Sequence, residues 1–218
     1  MDLATLRRLI ADGENQHLEL KRKLAHPEKV VREVVAFANA SGGLLVVGVD
    51  DNLTIAGLPD IDAEHYVLER ALTELCEPVP AYTLSELVCG PDRHLLLCRV
   101  KEAPQKPTYV KEDGQLRAYI RVADRSVQAS REVRQVLKEQ QKPKQYQFAF
   151  GPKEKLLIEF LTRYKSITLP DFSRRAQVPE RQAARTLVLL VLANVLTLQP
   201  AEGHDIYTLN PTFEEHAK

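Results

Sequence analysis

The sequence has no tryptophan, one methionine and three cysteines in 218 residues. Three cysteines at irregular spacing, Cys76, Cys89 and Cys98, make a poor disulfide framework and fit a reducing compartment. Cys89, His94 and Cys98 have ligand chemistry, but no second ligand pair stands at zinc-site spacing; small buried thiols on paired strands around the "GPDR" turn are the preferred reading. No apolar run approaches the ~18 residues that cross a bilayer, and "MDLATLRRLIADG" lacks the apolar region of a cleavable signal. A cytoplasmic protein with no membrane partner is therefore expected. An excess of charge of either sign is also missing: 30 Lys and Arg stand against 30 Asp and Glu. Global charge thus names no partner, and any nucleic-acid surface must come from local clustering. What is present, 44% hydrophobic and 28% charged residues, is an ordinary globular composition and excludes a wholly disordered or fibrous chain.

A nucleotide-binding loop is missing too. The stretch "SGGLLVVGVDD", residues 41 to 51, is rich in glycine, yet no G-x-x-x-x-G-K-[ST] occurs in the chain. Gly42, Gly43 and Gly48 also fail the G-x-G-x-x-G spacing, and they surround a strand instead of joining a strand to a helix. ATP binding is disfavoured on pattern, and the glycines read as structural.

Apolar spacing predicts a helix over residues 3–10, and "QHLELKRKL" alternates like a half-buried strand. "EKVVREVVAFANA" predicts a helix closed by "SGG", and "LLVVGV" a central strand. "DDNLTIAGL" reads as a turn and a short strand, residues 62–76 as a helix, and "AYTLSELV" with "HLLLCRV" as a hairpin around "CGPDR". Two strand-like pieces flank "EDG". Polar, basic "KEQQKPKQYQ" reads as linker. Beyond it, three helices ("PKEKLLIEFLTRY", "LPDFSRRA" and "PERQAARTLVLLVLANV") precede two β-like pieces around "AEGHD", the order of a winged helix. The expected organisation is an α/β (α+β) mixed-sheet domain over 1–137, a linker over 138–150 and a small winged helix-turn-helix domain over 151–218.

Carboxylates carry the chemical question. Asp50 and Asp51 stand where the central strand emerges, and Glu14 and Glu19 lie upstream in "GENQHLELK". Three converging carboxylates can hold a divalent ion that polarises a phosphodiester and activates water. Five residues apart on one regular strand, Glu14 and Glu19 would face opposite sides, so convergence requires Glu14 to lie in the loop "ADGEN". Solvated carboxylates at element ends are the competing reading.

"GENQHLELK", "VVAFANASGGLLVVGVDDNLTIAGL" and "KPTYVKEDGQLRAYIRV" together resemble the Schlafen AlbA-like domain family over about residues 10–135. Its pattern is an ordered set: G-E, E-F-K, A-F-A-N-x-x-G-G, G-V-D-D and a late Y-I-R-V. The resemblance implies an RNA-cleaving nuclease, acting on tRNA and rRNA in eukaryotic relatives. On this chain it places a carboxylate triad and a Mg or Mn site at Glu14, Glu19 and Asp51, with Lys21 as the lysine of E-x-K. Leu20 stands where Phe is usual, "YIRVAD" lacks the glycine that commonly follows, and the zinc-ligand set of vertebrate members is not recognisable. Bacterial members are often labelled ATP-binding or AAA-type, and many are regarded as DNA-binding regulators.

Among the cations, Arg22, Lys23 and Arg121 are candidates for nucleic-acid contact in the first domain, with Lys106, Lys111, Arg117 and Arg125 on the later strands. In the second, a recognition helix near Pro179 would present Glu180, Arg181, Gln182 and Arg185, with Arg174 and Arg175 preceding it. Against groove contact, "TLVLLVLANVL" is apolar enough to pack on protein. Two readings remain open: a metal-dependent RNA endonuclease, or a non-enzymatic DNA-binding regulator whose first domain serves oligomerisation or effector sensing. Nucleic acid, RNA or DNA, and a second copy of the chain are the expected partners.

Overall fold

A computed structural model describes residues 1–142, 146 and 151–216. The chain divides into two compact units, Met1–Gln128 and Ala129–Lys218.

In the first unit, α1 (Leu3–Ala11) starts at Asp2, whose side chain accepts from the Thr5 amide. Next come β1 (Leu18–Lys21), α2 (Pro27–Asn39), β2 (Gly43–Val47) and α3 (Ile61–Leu75). They are followed by β3 (Cys76–Glu77) and the long hairpin β4 (Tyr82–Gly90) and β5 (Arg93–Val100). Two further hairpins close the unit: β6 (Tyr109–Glu112) with β7 (Gln115–Arg117), and β8 (Tyr119–Val122) with β9 (Arg125–Gln128). The main sheet runs β1-β2-β5-β4, with β1 and β2 parallel and the other pairs antiparallel.

The central strand β2 is covered on both faces, which is why its sequence is apolar without alternation. Leu45 and Val47 join a core with Val34, Phe37 and Leu72 of the α2 and α3 layer, while Leu44 and Val46 pack with Leu6 and Ile10 of α1. Cys98 lies in the first of these cores and Cys89 packs against the second, so the two thiols occupy opposite faces and cannot share a metal with His94. Between β2 and α3 the chain makes only isolated bridges, Val49 with Ile55 and Leu58 with His94, in place of the expected strand. Gly48 (φ +111°) and Gly57 (φ +66°) allow this tight passage. A Cβ on Gly48 would lie 2.7 Å from Leu95 and 3.3 Å from the Gly57 Cα.

The second unit begins earlier than the linker expected at 138. Residues 131–140 form a helix, α4 (Arg131–Gln140), whose Val136 joins the second unit's core. Ser130 caps it, accepting from the Val133 amide. Its apolar residues Val133, Val136 and Leu137 stand at helical spacing and are buried together, so the helix is legible in the sequence although the segment as a whole is polar. Of the linker span, 143–145 and 147–150 lie outside the described residues. Then follow α5 (Pro152–Tyr164), β10 (Ser166–Ile167), α6 (Leu169–Ala176), α7 (Glu180–Leu192), β11 (Leu196–Gln199), β12 (Ile206–Leu209) and α8 (Pro211–His216). The strands form an antiparallel sheet β10-β12-β11. Leu161, Phe172, Leu187 and Tyr207, all fully buried, knit the three helices to it.

Candidate nucleic-acid interface

Strand alternation sends Leu18 and Leu20 of β1 to the α1 layer. Glu19 and Lys21 go to the other face. There Glu19 is 3% exposed and meets Arg121 of β8, whose side chain is fully enclosed. Arg121 Nε and Nη2 donate to the Asn15 carbonyl at 3.1 and 3.0 Å, and Nη2 also donates to Leu18 O at 3.1 Å. Its Nη1 lies 2.8 Å from both Glu33 Oε2 and Glu19 Oε2. The contact with Glu33 is an aligned hydrogen bond; that with Glu19 is an ion pair without such alignment. The guanidinium also sits 5.0 Å over the Phe37 ring. Arg121 is thus a core organiser, and the expectation that it touches nucleic acid is corrected: every donor group is spent inside the fold.

The other Glu19 oxygen accepts from Lys21 Nζ. Glu14, in the loop before β1, accepts from the Leu20 amide at 2.9 Å and lies 3.7 Å from Lys21 Nζ. Burial alone would push the Lys21 ammonium down, but its hydrogen bond to Glu19 and the charges of Glu19, Glu14 and Glu33 carry it above its ordinary value. Asp51, exposed on the turn after β2, shares a cleft of about 400 Å³ with Glu14, lined also by Asp12, Asp50 and Asp124. Glu19 does not line it. Among the described residues no three His, Cys, Asp or Glu side chains are placed to hold a metal ion together. The ligand set expected for Mg or Mn, Glu14, Glu19 and Asp51, is thus divided between two surroundings in this structure. Glu14 and Asp51 come to one cleft, while Glu19 is committed to Lys21 and Arg121.

Of the fourteen other Lys and Arg of the first unit, six form ion pairs among the described residues. Arg22 holds Asp50 at 2.6 Å and the Gly57 carbonyl at 3.1 Å, and Lys111 and Arg117 meet Glu77 and Glu112. Lys23 is exposed. Two polar residues that organise this unit escaped the reading of the sequence. One is Glu33, a lone carboxylate inside the apolar run "VVREVVAFA". The other is Asn39, whose Nδ2 donates to the Thr108 and Tyr119 carbonyls and whose Oδ1 accepts from the Thr108 amide. An amide wedged in so apolar a helix end was the available signal.

In the second unit Arg174 is tied to Asp171, and Arg175 stacks 4.1 Å over Phe160. Arg181 and Arg185, one turn apart on α7, are exposed, and among the described residues neither has an ion pair or hydrogen bond. Charge is divided unevenly. Residues 1–128 carry 16 Lys and Arg against 20 Asp and Glu, whereas residues 129–218 carry 14 against 10. The first unit is net acidic and the second net basic.

A family model described as Schlafen, AlbA_2 matches residues 14–130. The chain belongs to this family. No curated protein matches it. Among solved structures, it is similar to the N-terminal domain of a RecG-related protein from Nitrosomonas europaea, at 27% identity and a TM-score of 0.45. That match covers 56% of this chain and 88% of that one. It is also similar to the DIP2311 protein from Corynebacterium diphtheriae, at 23% identity and a TM-score of 0.38. There the match covers 54% of this chain but 26% of that one. In this Schlafen AlbA_2 domain, Glu19, Asn39 and Arg121, one from each of the three sequence pieces that carry the resemblance, are all buried, and each binds main chain or charge contributed by another element. The motif thus marks interior polar joints as much as a surface site.

Proposed function

We propose that this Schlafen AlbA_2 protein binds nucleic acid and that its second unit, a winged helix, makes the contact with a duplex. The observation that carries the reading is the exposed, unpaired pair Arg181 and Arg185 on α7. This helix is third in a helix–strand–helix–helix–hairpin order, the place of a recognition helix. Guanidinium groups there reach phosphates or guanine edges, and the net basic character of the unit favours approach to a polyanion. The first unit repels phosphate on balance, and its Glu14 and Asp51 cleft is lined by five carboxylates, so its part in this reading is oligomerisation or effector sensing.

Fluorescence anisotropy of a labelled duplex DNA with the full chain and with an Arg181→Gln/Arg185→Gln variant tests the reading. The variant is expected to bind at least about ten-fold more weakly, since a lost guanidinium contact costs ~1–3 kcal/mol. Equal binding by the two proteins would count against it.

A second reading, cleavage of RNA, is favoured by Glu14 and Asp51 sharing one cleft in a domain of this family. Incubation with tRNA and Mg or Mn, beside Glu14→Ala, Glu19→Ala and Asp51→Ala variants, decides it. Cleavage lost in the variants supports a carboxylate site, and a parent protein that leaves tRNA intact rejects it.

A further inference from the structure

Helix α4 changes what the second unit offers to a ligand. Its first turn faces the first turns of α6 and α7 across a cleft of about 410 Å³. Arg131 of α4 and Arg181 and Arg185 of α7 line this cleft, as do Glu132 and Glu180. All three arginines are exposed, and among the described residues none forms an ion pair or hydrogen bond, although two carboxylates stand in the same lining. Side chains of opposite charge that share a concave wall without pairing leave guanidinium donors directed at whatever enters. The helix starts add to this: Arg131 and Glu180 are the first residues of α4 and α7, and the positive end of each helix dipole favours an anion there.

The geometry points to a binding site for a phosphate ester in the cleft between α4 and α7. Arg131, Arg181 and Arg185 supply planar, permanently charged forks that match phosphate oxygens in pairs. Glu132 and Glu180 hold the lining at a small positive excess and offer acceptors to a hydroxyl or amino group carried beside the phosphate. The chemistry is that of a nucleotidyl phosphate, whether free or within a nucleic-acid strand. Only the second source rests on the duplex-binding reading above. A helix N-terminal to the three expected from the sequence thus supplies Arg131 to the site.

The test is isothermal titration of the full chain with inorganic pyrophosphate, followed by competition with an unlabelled duplex DNA. Arg131→Gln and Glu132→Gln variants are compared at equal ionic strength, with circular dichroism and melting temperature as controls for folding. Pyrophosphate is expected to bind, Arg131→Gln to weaken it about ten-fold, and Glu132→Gln to tighten it. This opposite pair of effects is one that a merely structural role for α4 would not produce. Competition by duplex identifies the strand as the source, and binding without competition identifies a free ester; both support the site. No pyrophosphate binding, or binding untouched by both substitutions, overturns it. Duplex binding that depends on Arg181 and Arg185, with no pyrophosphate binding, removes this site and leaves the duplex reading standing, whereas pyrophosphate binding without any duplex binding does the reverse.

Discussion

Arg121 and Glu19 show what a charged residue does once the fold encloses it. Desolvating an ion pair costs several kcal/mol, and removing one partner leaves the other charge buried and uncompensated. Arg121→Ala is therefore expected to lower the unfolding free energy by about 3–5 kcal/mol, read from urea denaturation; a loss below 1 kcal/mol would show that water replaces the guanidinium at no cost. Lys21 gives a pH test of the same cluster. Its value is raised above the ordinary 10.5 in the folded chain, so its stabilising contribution is complete below 10.5 and is lost as pH climbs through the folded value. Glu19→Gln should bring the Lys21 titration, followed by NMR at its side chain, back down. The thiols supply a simpler check: burial pushes Cys76 and Cys98 up to about 12, while Cys89 is only partly buried. Alkylation of the native protein at pH 8 should mark Cys89 and spare the other two until the chain unfolds. The sequence pattern led to Glu14, Glu19 and Lys21, because their spacing is local. It could not give Glu33 or the role of Arg121, because their pairing spans 88 residues and is decided by packing.

At the level of elements, apolar period was a sufficient guide wherever one face or both faces were well covered. The helices α1, α2, α3, α5, α6 and α7 and the β4–β5 hairpin stand where spacing put them. Helix α4 was missed although Ser130 as cap and Val133, Val136 and Leu137 at helical spacing announce it; its low overall hydropathy made the segment look like linker, and its apolar stripe packs on α7. Short β3 and β10 were missed because two residues carry no period at all. The glycines of the β2 region are read correctly as structural. A Cβ on Gly43 would fall 2.3 Å from the Phe37 ring, which fixes how closely α2 lies on the sheet. Gly43→Ala must displace that ring, and a loss of about 1–3 kcal/mol in unfolding free energy is expected; a neutral substitution would mean that the α2 layer can slide.

For the whole molecule, zero net charge concealed an acidic unit joined to a basic one. Sequence-wide totals average such a division away, and only the boundary at Gln128 separates the two halves. On the proposed function, phosphate is met by the second unit, at α7, and not by the acidic cleft of the Schlafen AlbA_2 domain. The most direct measurement is the salt dependence of duplex binding, because each neutralised phosphate adds about 0.9 to the slope of log K against log salt. For the Arg181→Gln/Arg185→Gln variant a slope shallower by about one to two is expected, with Asp51→Ala leaving the slope unchanged. An unaltered slope in the arginine variant, or one that responds instead to the carboxylate substitution, would contradict it.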